Sequence, residues 1–499
     1  MLPNTIARTW LKSTGSRNQF LFNSFRSLSS ATFNQSDLPP CDFKPPNCNG
    51  TLSSDRLNEI RKKHVHPAIF HYYKTPLTLD QGHMQYLFDD KGQRYIDCLG
   101  GFATLSAGHC HPRVVEALEK QSKKLWHVST IYNYEPWLKY VEKLASKFPD
   151  PLKVVYLVNS GSEANDLAIL MARMYTGNQD IVSLRGAYHG ISPYLMPLAS
   201  IDSWRHNASF MGGHHLSKCP DPYRGPWGGR NCRNSPSNVP RDCDCEPGVC
   251  KACDAYVEDF EDLLTACTNK TKMAGFIAES IQGAGGTCQF PKGYLKRVYE
   301  MVRARNGLCI ADEVQTGFGR TGESFWAFES HGVVPDIVTT AKSIGNGFPI
   351  AAVVTRREVA EVLSKAVHFN TFGGNPMACS VASTVLDVID DEKLQQNCKE
   401  VGTYLLQGLM NLQKKHRVIG DVRGLGFMLG IEFVTDPVKK TPLPVNELME
   451  KMKEKFVLVG RSGRYGQVIR FKPPMCLNKK DVDYIISALD ASLVELGYK

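Results

Sequence analysis

The sequence of 499 residues lacks any stretch of about 20 uninterrupted apolar residues, the length that a membrane-spanning helix requires. It also lacks a long basic run, although its formal net charge is +9 at pH 7. Part of that charge belongs to the N-terminus, and the rest is spread along the chain as on an ordinary solvated surface. We therefore expect neither a membrane protein nor a nucleic-acid-binding protein.

The N-terminus lacks acidic residues, of which Asp37 is the first. Residues 1–36 are basic and rich in serine, and their apolar side chains are scattered instead of forming one block. A secretory signal would contain such a block, whereas a mitochondrial transit peptide would not. The composition predicts a transit peptide within residues 1–40 and a location in the mitochondrial matrix.

Six of the 16 cysteines fall within residues 219–253, yet this region lacks a paired C-x2-C arrangement typical of a zinc knuckle. The spacings Cys243–Cys245 and Cys250–Cys253 leave zinc open as an alternative. We expect no metal and a surface loop, because residues 220–253 show no helical or strand periodicity.

Short apolar runs alternate with helical periodicity between about residues 150 and 355, which is typical of a mainly parallel sheet covered by helices on both faces. The predicted strands are residues 153–158, 180–184, 276–281, 308–311, 336–340 and 351–355, and the predicted helices are residues 163–175 and 293–305. Ligands of such sheets bind beyond the carboxyl ends of the strands.

The pattern predicts an α/β protein with a large domain and a smaller α+β domain. We assign residues 101–384 to the large domain, with 203–256 as an insertion, and residues 385–499 to the small domain. Residues 41–100, with a hairpin turn at 89–92, are expected to pack with the small domain.

Polar residues follow several predicted strands, and each has an ordinary alternative role. Gly161 and Ser162 begin a helix and could bind an anion, although a capping box with Glu163 needs no ligand. An Asp at a strand end, such as Asp312, needs a cationic partner or caps a helix. Lys342 could be a buried nucleophile or could reach solvent.

Four further residues extend this series along the chain. Tyr188 could stack on a planar ring, Gln315 could donate to a ring oxygen, Thr371 could contact a phosphate, and Arg423 is a cation suited to a carboxylate. The order of phosphate cup, aromatic ring, Asp and Gln pair, lysine, hydroxyl and arginine matches the groups of one cofactor, pyridoxal 5'-phosphate.

The sequence resembles the class-III aminotransferases, which have the aspartate-aminotransferase fold (fold type I of the pyridoxal-phosphate enzymes). The resemblance covers about residues 60–495. It rests on the motifs at residues 108–112 (GHCHP), 160–165 (SGSEAN), 188–190 (YHG), 312–320 (DEVQTGFGR), 342–349 (KSIGNGFP) and 371–376 (TFGGNP).

The resemblance implies roles for individual residues. Lys342 would hold pyridoxal phosphate as a Schiff base and then act as the base, Asp312 would keep the ring nitrogen protonated, and Tyr188 would stack on the ring. Gln315 would bond the ring oxygen.

Gly161 and Ser162 would hold the phosphate together with Thr371 of a second subunit, which implies a homodimer or homotetramer. Arg423 would bind the substrate carboxylate, and Glu279 would pair with Arg423 when no carboxylate is present.

Residues 224–229 (RGPWGG) and the cysteine-rich insertion resemble family members that use glyoxylate. This implies ping-pong transfer of an amino group from alanine, β-aminoisobutyrate or dimethylarginine to glyoxylate or pyruvate. Ser280 follows Glu279 where many family members have Pro, and related phospho-lyases resemble this chain there. Elimination of phosphate from a phosphoethanolamine-type substrate therefore stays open as an alternative.

Overall fold

The fold was determined from a computed structural model, which describes residues 33–46, 52–204, 206, 212–229, 232, 243–268 and 272–498. Most of the predicted transit peptide, residues 1–32, lies outside the described residues. No helix within the described ranges is long and apolar enough to cross a membrane.

The helices are α1 Ser54–His64, α2 Gly100–Ala103, α3 Pro112–Ser122, α4 Glu135–Ser146, α5 Gly161–Thr176, α6 Lys251–Cys267, α7 Tyr294–Ala304, α8 Arg357–Ala360, α9 Pro376–Asp391, α10 Leu394–Lys415, α11 Asn446–Glu454 and α12 Lys479–Glu495. The strands are β1 Leu79–His83, β2 Tyr86–Asp89, β3 Arg94–Asp97, β4 Val154–Val158, β5 Ile181–Leu184, β6 His214–Ser217, β7 Gly275–Glu279, β8 Ile281–Gln282, β9 Cys288–Gln289, β10 Leu308–Asp312, β11 Ile337–Thr340, β12 Ala351–Thr355, β13 Ile419–Leu425, β14 Met428–Asp436, β15 Thr441–Pro442, β16 Val457–Leu458, β17 Gly460–Ser462 and β18 Val468–Phe471.

The central element is a seven-stranded sheet in the order β4-β12-β11-β10-β7-β5-β6. Strands β11, β10, β7, β5 and β6 are parallel, whereas β12 is antiparallel to both β11 and β4. The predicted strands are confirmed with one correction. Residues 276–281 are not one strand, because β7 ends at Glu279 and β8 forms a separate two-stranded sheet with β9.

Alternate residues of the central strands belong to two different hydrophobic clusters. Ile277 and Ile310 pack in one cluster with the apolar face of α5, while Phe276 and Cys309 pack in the other with residues of α6, α7 and α9. Side chains alternate between the two faces of a strand, so both faces of the sheet are covered, as the sequence predicts.

The region predicted as an irregular insertion contains regular structure. Strand β6 is the edge strand of the central sheet, and α6 begins at Lys251, within the predicted insertion. Strand β6 reads His-His-Leu-Ser, so it lacks the run of Val and Ile that identifies the inner strands.

The C-terminal part contains a second sheet, β13-β14-β18-β17, in which all neighbours are antiparallel. The predicted hairpin is present as β2 and β3, and β3 also pairs in parallel with β16. Residues from β13 and from the end of β18 thereby come close to the central sheet, where Arg423 Nε donates to the carbonyl oxygen of Gly286 and Lys472 Nζ donates to Gln315.

Candidate active site

The candidate site lies where three neighbouring parallel strands end. Glu279, Asp312 and Thr339 are direct partners across β7, β10 and β11, and Lys342 follows β11 within a short 3-10 turn. The pocket at this edge is lined by Ser160, Gly161, Ser162, Asn165, Tyr188, His189, Gly190, Glu279, Asp312, Val314, Gln315 and Lys342. Seven of the nine predicted site residues are in this list, and Thr371 and Arg423 are not.

Asp312 is almost fully buried at the floor of the pocket. Its Oδ2 lies 2.8 Å from Asn165 Nδ2 and 2.8 Å from His189 Nδ1, and its Oδ1 accepts a hydrogen bond from the backbone N–H of Val314. Three surrounding donors hold the carboxylate in one orientation. Asp312 is therefore a fixed acceptor that faces the same pocket as Lys342.

Lys342 has φ +50°, a left-handed conformation that is uncommon for a residue other than Gly. Desolvation lowers the pKa of Lys342 to about 8, although the charges of Asp312 and Glu279 oppose this shift. An amine with this pKa is partly neutral, and hence nucleophilic, near physiological pH.

The start of α5 was predicted to hold both an anion-binding site at Gly161 and Ser162, here called the phosphate cup, and a capping box of Ser160 with Glu163. Both features are built from these neighbouring residues. Ser160 is the N-cap and accepts from the backbone N–H of Glu163, so its hydroxyl oxygen serves the helix. The Glu163 carboxylate accepts from Asn159 N–H. Gly161 and Ser162 line the pocket at the positive end of the helix dipole, where the first N–H groups of a helix have no partner within it.

Tyr188 and Gln315 also line the pocket. The Tyr188 ring meets Trp204 edge to face, with 4.9 Å between ring centroids. Gln315 Oε1 accepts a hydrogen bond from Lys472 Nζ at 2.8 Å. Since its carbonyl oxygen is used in this way, the amide N–H₂ group of Gln315 is the end left to donate elsewhere.

Glu279 lies in the pocket without Arg423. Its two carboxylate oxygens accept from the backbone N–H groups of Tyr188 and Gly283, and burial, followed by the charge of Asp312, raises the pKa of Glu279. Arg423 instead forms ion pairs with Asp421 and Glu432, at 2.8 and 2.7 Å. The structure therefore does not bring the implied Glu279–Arg423 pair together.

Thr371 is exposed, beside a groove that runs past the start of α5. Trp126 and Phe372 line this groove and are 67% and 62% exposed, and Asn159 and Glu163 connect it to the phosphate cup. Large exposed apolar side chains next to a polar site are typical of a surface that another protein covers.

Four residues in or beside the site were missed in the sequence. His189 and Asn165 hold Asp312, and Thr339 Oγ1 donates to Asn165 Oδ1, which orients the Asn165 amide. Both His189 and Asn165 belong to motifs that identify the family, but spacing along the chain gives no sign that they meet at Asp312. Lys472 was also missed, because it follows an apolar strand in the C-terminal part.

The pocket residues fit pyridoxal phosphate. His189 Nε2 is buried without a partner in the described part of the chain, which leaves room for a polar ligand or water on that side. A Cβ on Gly190 would lie 2.6 Å from Ser162 Oγ, so only Gly keeps the cup open. An amine, a carboxylate, the first residues of a helix and an aromatic ring thus surround one cavity.

The described residues contain no cluster of three or more His, Cys, Asp or Glu side chains that could hold a metal ion. Cysteines of the region 219–253 approach each other in pairs, and Cys232 Sγ lies 3.7 Å from Cys250 Sγ. The absence of a metal site stays a prediction for the region as a whole, because parts of it lie outside the described ranges.

Comparison with known families and proteins gives a consistent result. Residues 70–493 match the family model "Aminotransferase class-III". The mitochondrial alanine–glyoxylate aminotransferase 2 of Homo sapiens is 50% identical over 462 residues, which cover 92% of this chain and 90% of that protein. The predicted mitochondrial location is confirmed by this relative.

Two solved structures share the fold. An amine transaminase from an uncultivated Pseudomonas species, solved in the PLP-bound form, is 28% identical with a TM-score of 0.78, covering 87% of this chain and 98% of that one. A phospholyase from Arthrobacter, solved in complex with phosphoethanolamine, is 30% identical with a TM-score of 0.79, covering 88% of this chain and 99% of that one.

Proposed function

Because this chain belongs to the class-III aminotransferase family, whose members use pyridoxal phosphate, we propose that it transfers the amino group of alanine to glyoxylate or pyruvate in the pocket around Lys342. β-Aminoisobutyrate and dimethylarginine are further proposed donors. The observation that carries the proposal is the placement of Lys342 and Asp312 at the ends of two adjacent parallel strands, in one pocket.

When bound, pyridoxal phosphate supplies an aldehyde that takes up the amino group and a ring that accepts electrons from the substrate Cα. The remaining chemistry belongs to the chain. Lys342 Nζ would hold the cofactor and then move the proton at the substrate Cα, and Asp312 would keep a proton at the ring nitrogen. Gln315 would donate to the ring oxygen, and Tyr188 would cover the ring.

The phosphate is proposed to sit at Gly161 and Ser162 and to be completed by Thr371 of a second copy of the chain. The exposed groove around Trp126 and Phe372 supports this arrangement, because it adjoins the cup and is apolar. The proposed assembly is a homodimer, or a homotetramer built from such dimers.

The dimer proposal is tested by Phe372→Glu, with Val438→Glu as the matched control, since Val438 is 89% exposed and does not line the groove. We expect Phe372→Glu to give monomers in sedimentation velocity and Val438→Glu to sediment like the unchanged protein. A dimeric Phe372→Glu variant would contradict the proposed interface.

Arg423 is proposed to bind the substrate carboxylate, with Glu279 as the alternative partner. In the structure the guanidinium group is held by Asp421, Glu432 and the carbonyl oxygen of Gly286, so this role requires it to exchange one of these partners. Glu279 is held by two backbone N–H groups and would likewise have to move.

The experiment that tests the function follows the absorbance of the bound cofactor. Alanine alone should convert the enzyme to the amine form of the cofactor, and glyoxylate should restore the starting spectrum, as expected for a ping-pong enzyme. Lys342→Ala should remove both responses, whereas Lys365→Ala, at an exposed lysine, should preserve them. A normal rate in Lys342→Ala would exclude Lys342 from the reaction.

Elimination of phosphate from a phosphorylated amine is a second candidate. It is favoured by the similarity to the Arthrobacter phospholyase, which was solved with phosphoethanolamine. An eliminating enzyme needs no oxo acid. Steady phosphate release from phosphoethanolamine in the absence of glyoxylate, together with no spectral response to alanine, would favour this candidate over transamination.

A further inference from the structure

Two cationic side chains lie at the end of β18, next to the pocket but outside the predicted set of site residues. Arg470 lies in β18, and Lys472 is the first residue after the end of this strand. The two are two residues apart, a spacing that places side chains on the same side of an extended chain. Lys472 is 0% exposed and Arg470 is 5% exposed. Both are thus buried at the boundary between the central sheet and the C-terminal sheet.

Neither cation forms an ion pair with a carboxylate in the described part of the chain. Lys472 Nζ has three hydrogens, and the single acceptor that it meets there is Gln315 Oε1, at 2.8 Å. Arg470 stacks on Phe102, with 4.6 Å from the guanidinium carbon to the ring centroid, and its Nε is buried without an acceptor. Lysine and arginine are rarely buried in this state unless a partner compensates their charge.

The charges around Lys472 also favour the binding of an anion beside it. Burial lowers the pKa of the Lys472 amine well below 10.5, and the positive charges of Arg470, Lys342 and Arg320 lower it further, while Glu279 alone among the main contributors opposes them. Arg320 is itself held by the carbonyl oxygens of Pro473 and Leu105. An anion placed here would face several cations and would make the protonated amine favourable.

Lys472 reaches the pocket through Gln315, whose side chain lines the pocket and accepts the lysine hydrogen bond. Two of the three hydrogens of the ammonium group remain for a ligand. Arg423 differs in this respect, because Asp421 and Glu432 already compensate its charge.

We propose that Lys472, supported by Arg470, is a further substrate-binding residue besides Arg423 and contacts the anionic group of the substrate, either the carboxylate of an amino or oxo acid or the phosphate of a phosphorylated amine. The inference rests on the proposed function, since it names the part of the substrate that the same pocket recognises. No existing partner has to be broken for Lys472 to bind the anion.

The test compares the enzyme with Lys472→Met, Lys472→Arg and the control Lys480→Met, at an exposed lysine. Stopped-flow absorbance of the holoenzyme gives kcat/KM of the first half-reaction for alanine and for 2-aminopropane, in which a methyl group replaces the carboxylate. Calorimetry gives the affinity of the holoenzyme for propionate, which is alanine without its amino group, and for inorganic phosphate.

In Lys472→Met we expect the ratio of kcat/KM for alanine to that for 2-aminopropane to fall roughly ten-fold or more, the effect of losing a charge-assisted hydrogen bond. Propionate affinity should fall by a similar factor if the bound group is a carboxylate, and phosphate affinity if it is a phosphate. Lys472→Arg should recover most of the loss, and Lys480→Met should behave like the unchanged enzyme.

Equal losses for alanine and 2-aminopropane, with unchanged affinity for propionate and phosphate, would overturn the proposal, because Lys472 would then act only through Gln315. Thermal denaturation accompanies each measurement. Replacing a fully buried amine that has no carboxylate partner by Met should maintain or raise the melting temperature, so unfolding would not explain the loss. If the unchanged enzyme shows no spectral response to alanine, the transaminase proposal fails. The affinities for propionate and phosphate would still test the role of Lys472.

Discussion

His189 Nδ1 lies 2.8 Å from Asp312 Oδ2, and both side chains are almost completely buried. Asn165 Nδ2 reaches the same oxygen and also donates to the carbonyl oxygen of His189, so residues from β10, α5 and the loop after β5 form one network. The network aims a carboxylate into the pocket and leaves His189 Nε2 without a partner in the described structure. A carboxylate held in this way is prepared to keep a cationic ring nitrogen protonated.

Asp312→Asn tests this arrangement. The amide cannot carry the negative charge that stabilises a protonated ring nitrogen, and its N–H₂ group would oppose the donors of Asn165 and His189. We expect kcat to fall at least ~100-fold, a loss typical of one missing electrostatic contact in an active site. Steady-state kinetics of the cofactor-loaded enzyme measures this effect.

Asp336→Asn is the matched control, because Asp336 is a buried aspartate next to β11 but pairs with Arg303 and Arg356 away from the pocket. Its substitution should reduce the free energy of unfolding and preserve kcat per folded molecule. If Asp312→Asn lost stability but not kcat, it would resemble this control, and Asp312 would have no role in the reaction.

The pKa of Lys342 predicts how the cofactor-free protein takes up pyridoxal phosphate. The neutral amine is the nucleophile, and burial lowers its pKa from the ordinary 10.5 to about 8. The uptake rate should therefore rise with pH and approach its plateau above about pH 8, as the amine loses its proton. Stopped-flow absorbance between pH 6.5 and 10 measures the profile, and a rate still rising ten-fold per pH unit at pH 9.5 would exclude the lowered pKa.

Gly190 tests the shape of the phosphate cup. It has φ +134°, and a Cβ there would lie 2.5 Å from Leu195 Cδ1 and 2.6 Å from Ser162 Oγ. We expect Gly190→Ala to displace Ser162 and to weaken cofactor affinity at least ~10-fold, the equivalent of about 1.4 kcal/mol. Equilibrium dialysis of the cofactor measures the change.

Gly177→Ala provides the comparison for this substitution. Gly177 ends α5 with φ +67° and has open space around it, so Ala there introduces backbone strain without a clash. It should cost about 1 kcal/mol of unfolding free energy and preserve cofactor affinity. If Gly190→Ala and Gly177→Ala bound the cofactor equally well, the close contact with Ser162 would not matter for cofactor binding. Gly190 would then be required only for its backbone conformation.

The central sheet could be predicted because its inner strands are short, continuous apolar runs and its helices carry clear periodicity. Strand β6 was missed for the opposite reason, since its two histidines and a serine look like a loop until the sheet supplies a partner. A strand that forms because a neighbouring strand pairs with it cannot be predicted from its own composition.

Pocket residues at strand ends could be predicted because parallel strands all present their carboxyl ends at one edge. Lys472 could not, because nothing in the local sequence places β18 and the residue after it beside Gln315. The partner of Arg423 was equally inaccessible, since the motif around an arginine does not reveal which of several acidic side chains will meet it in the fold.

Arg423→Met separates the structural role of Arg423 from a role in binding. The substitution would leave the buried Asp421 without this ion pair, while Glu432 would keep Arg224, 2.5 Å away. Because removing one member of a buried ion pair takes away a charge that compensates the other, we expect the free energy of unfolding to fall by about 3 kcal/mol in urea titrations. Arg224→Met should cost less, because its side chain is partly exposed and Glu432 would retain Arg423.

Propionate affinity of the folded holoenzyme then decides whether Arg423 also meets the substrate. Since its charge is already compensated by two carboxylates, we expect Arg423→Met to weaken propionate binding less than Lys472→Met does. Calorimetry at a temperature well below both melting points compares the two variants directly. A larger loss in Arg423→Met, with stability intact, would mean that its ion pairs open when the substrate binds and that Arg423 is the main carboxylate site.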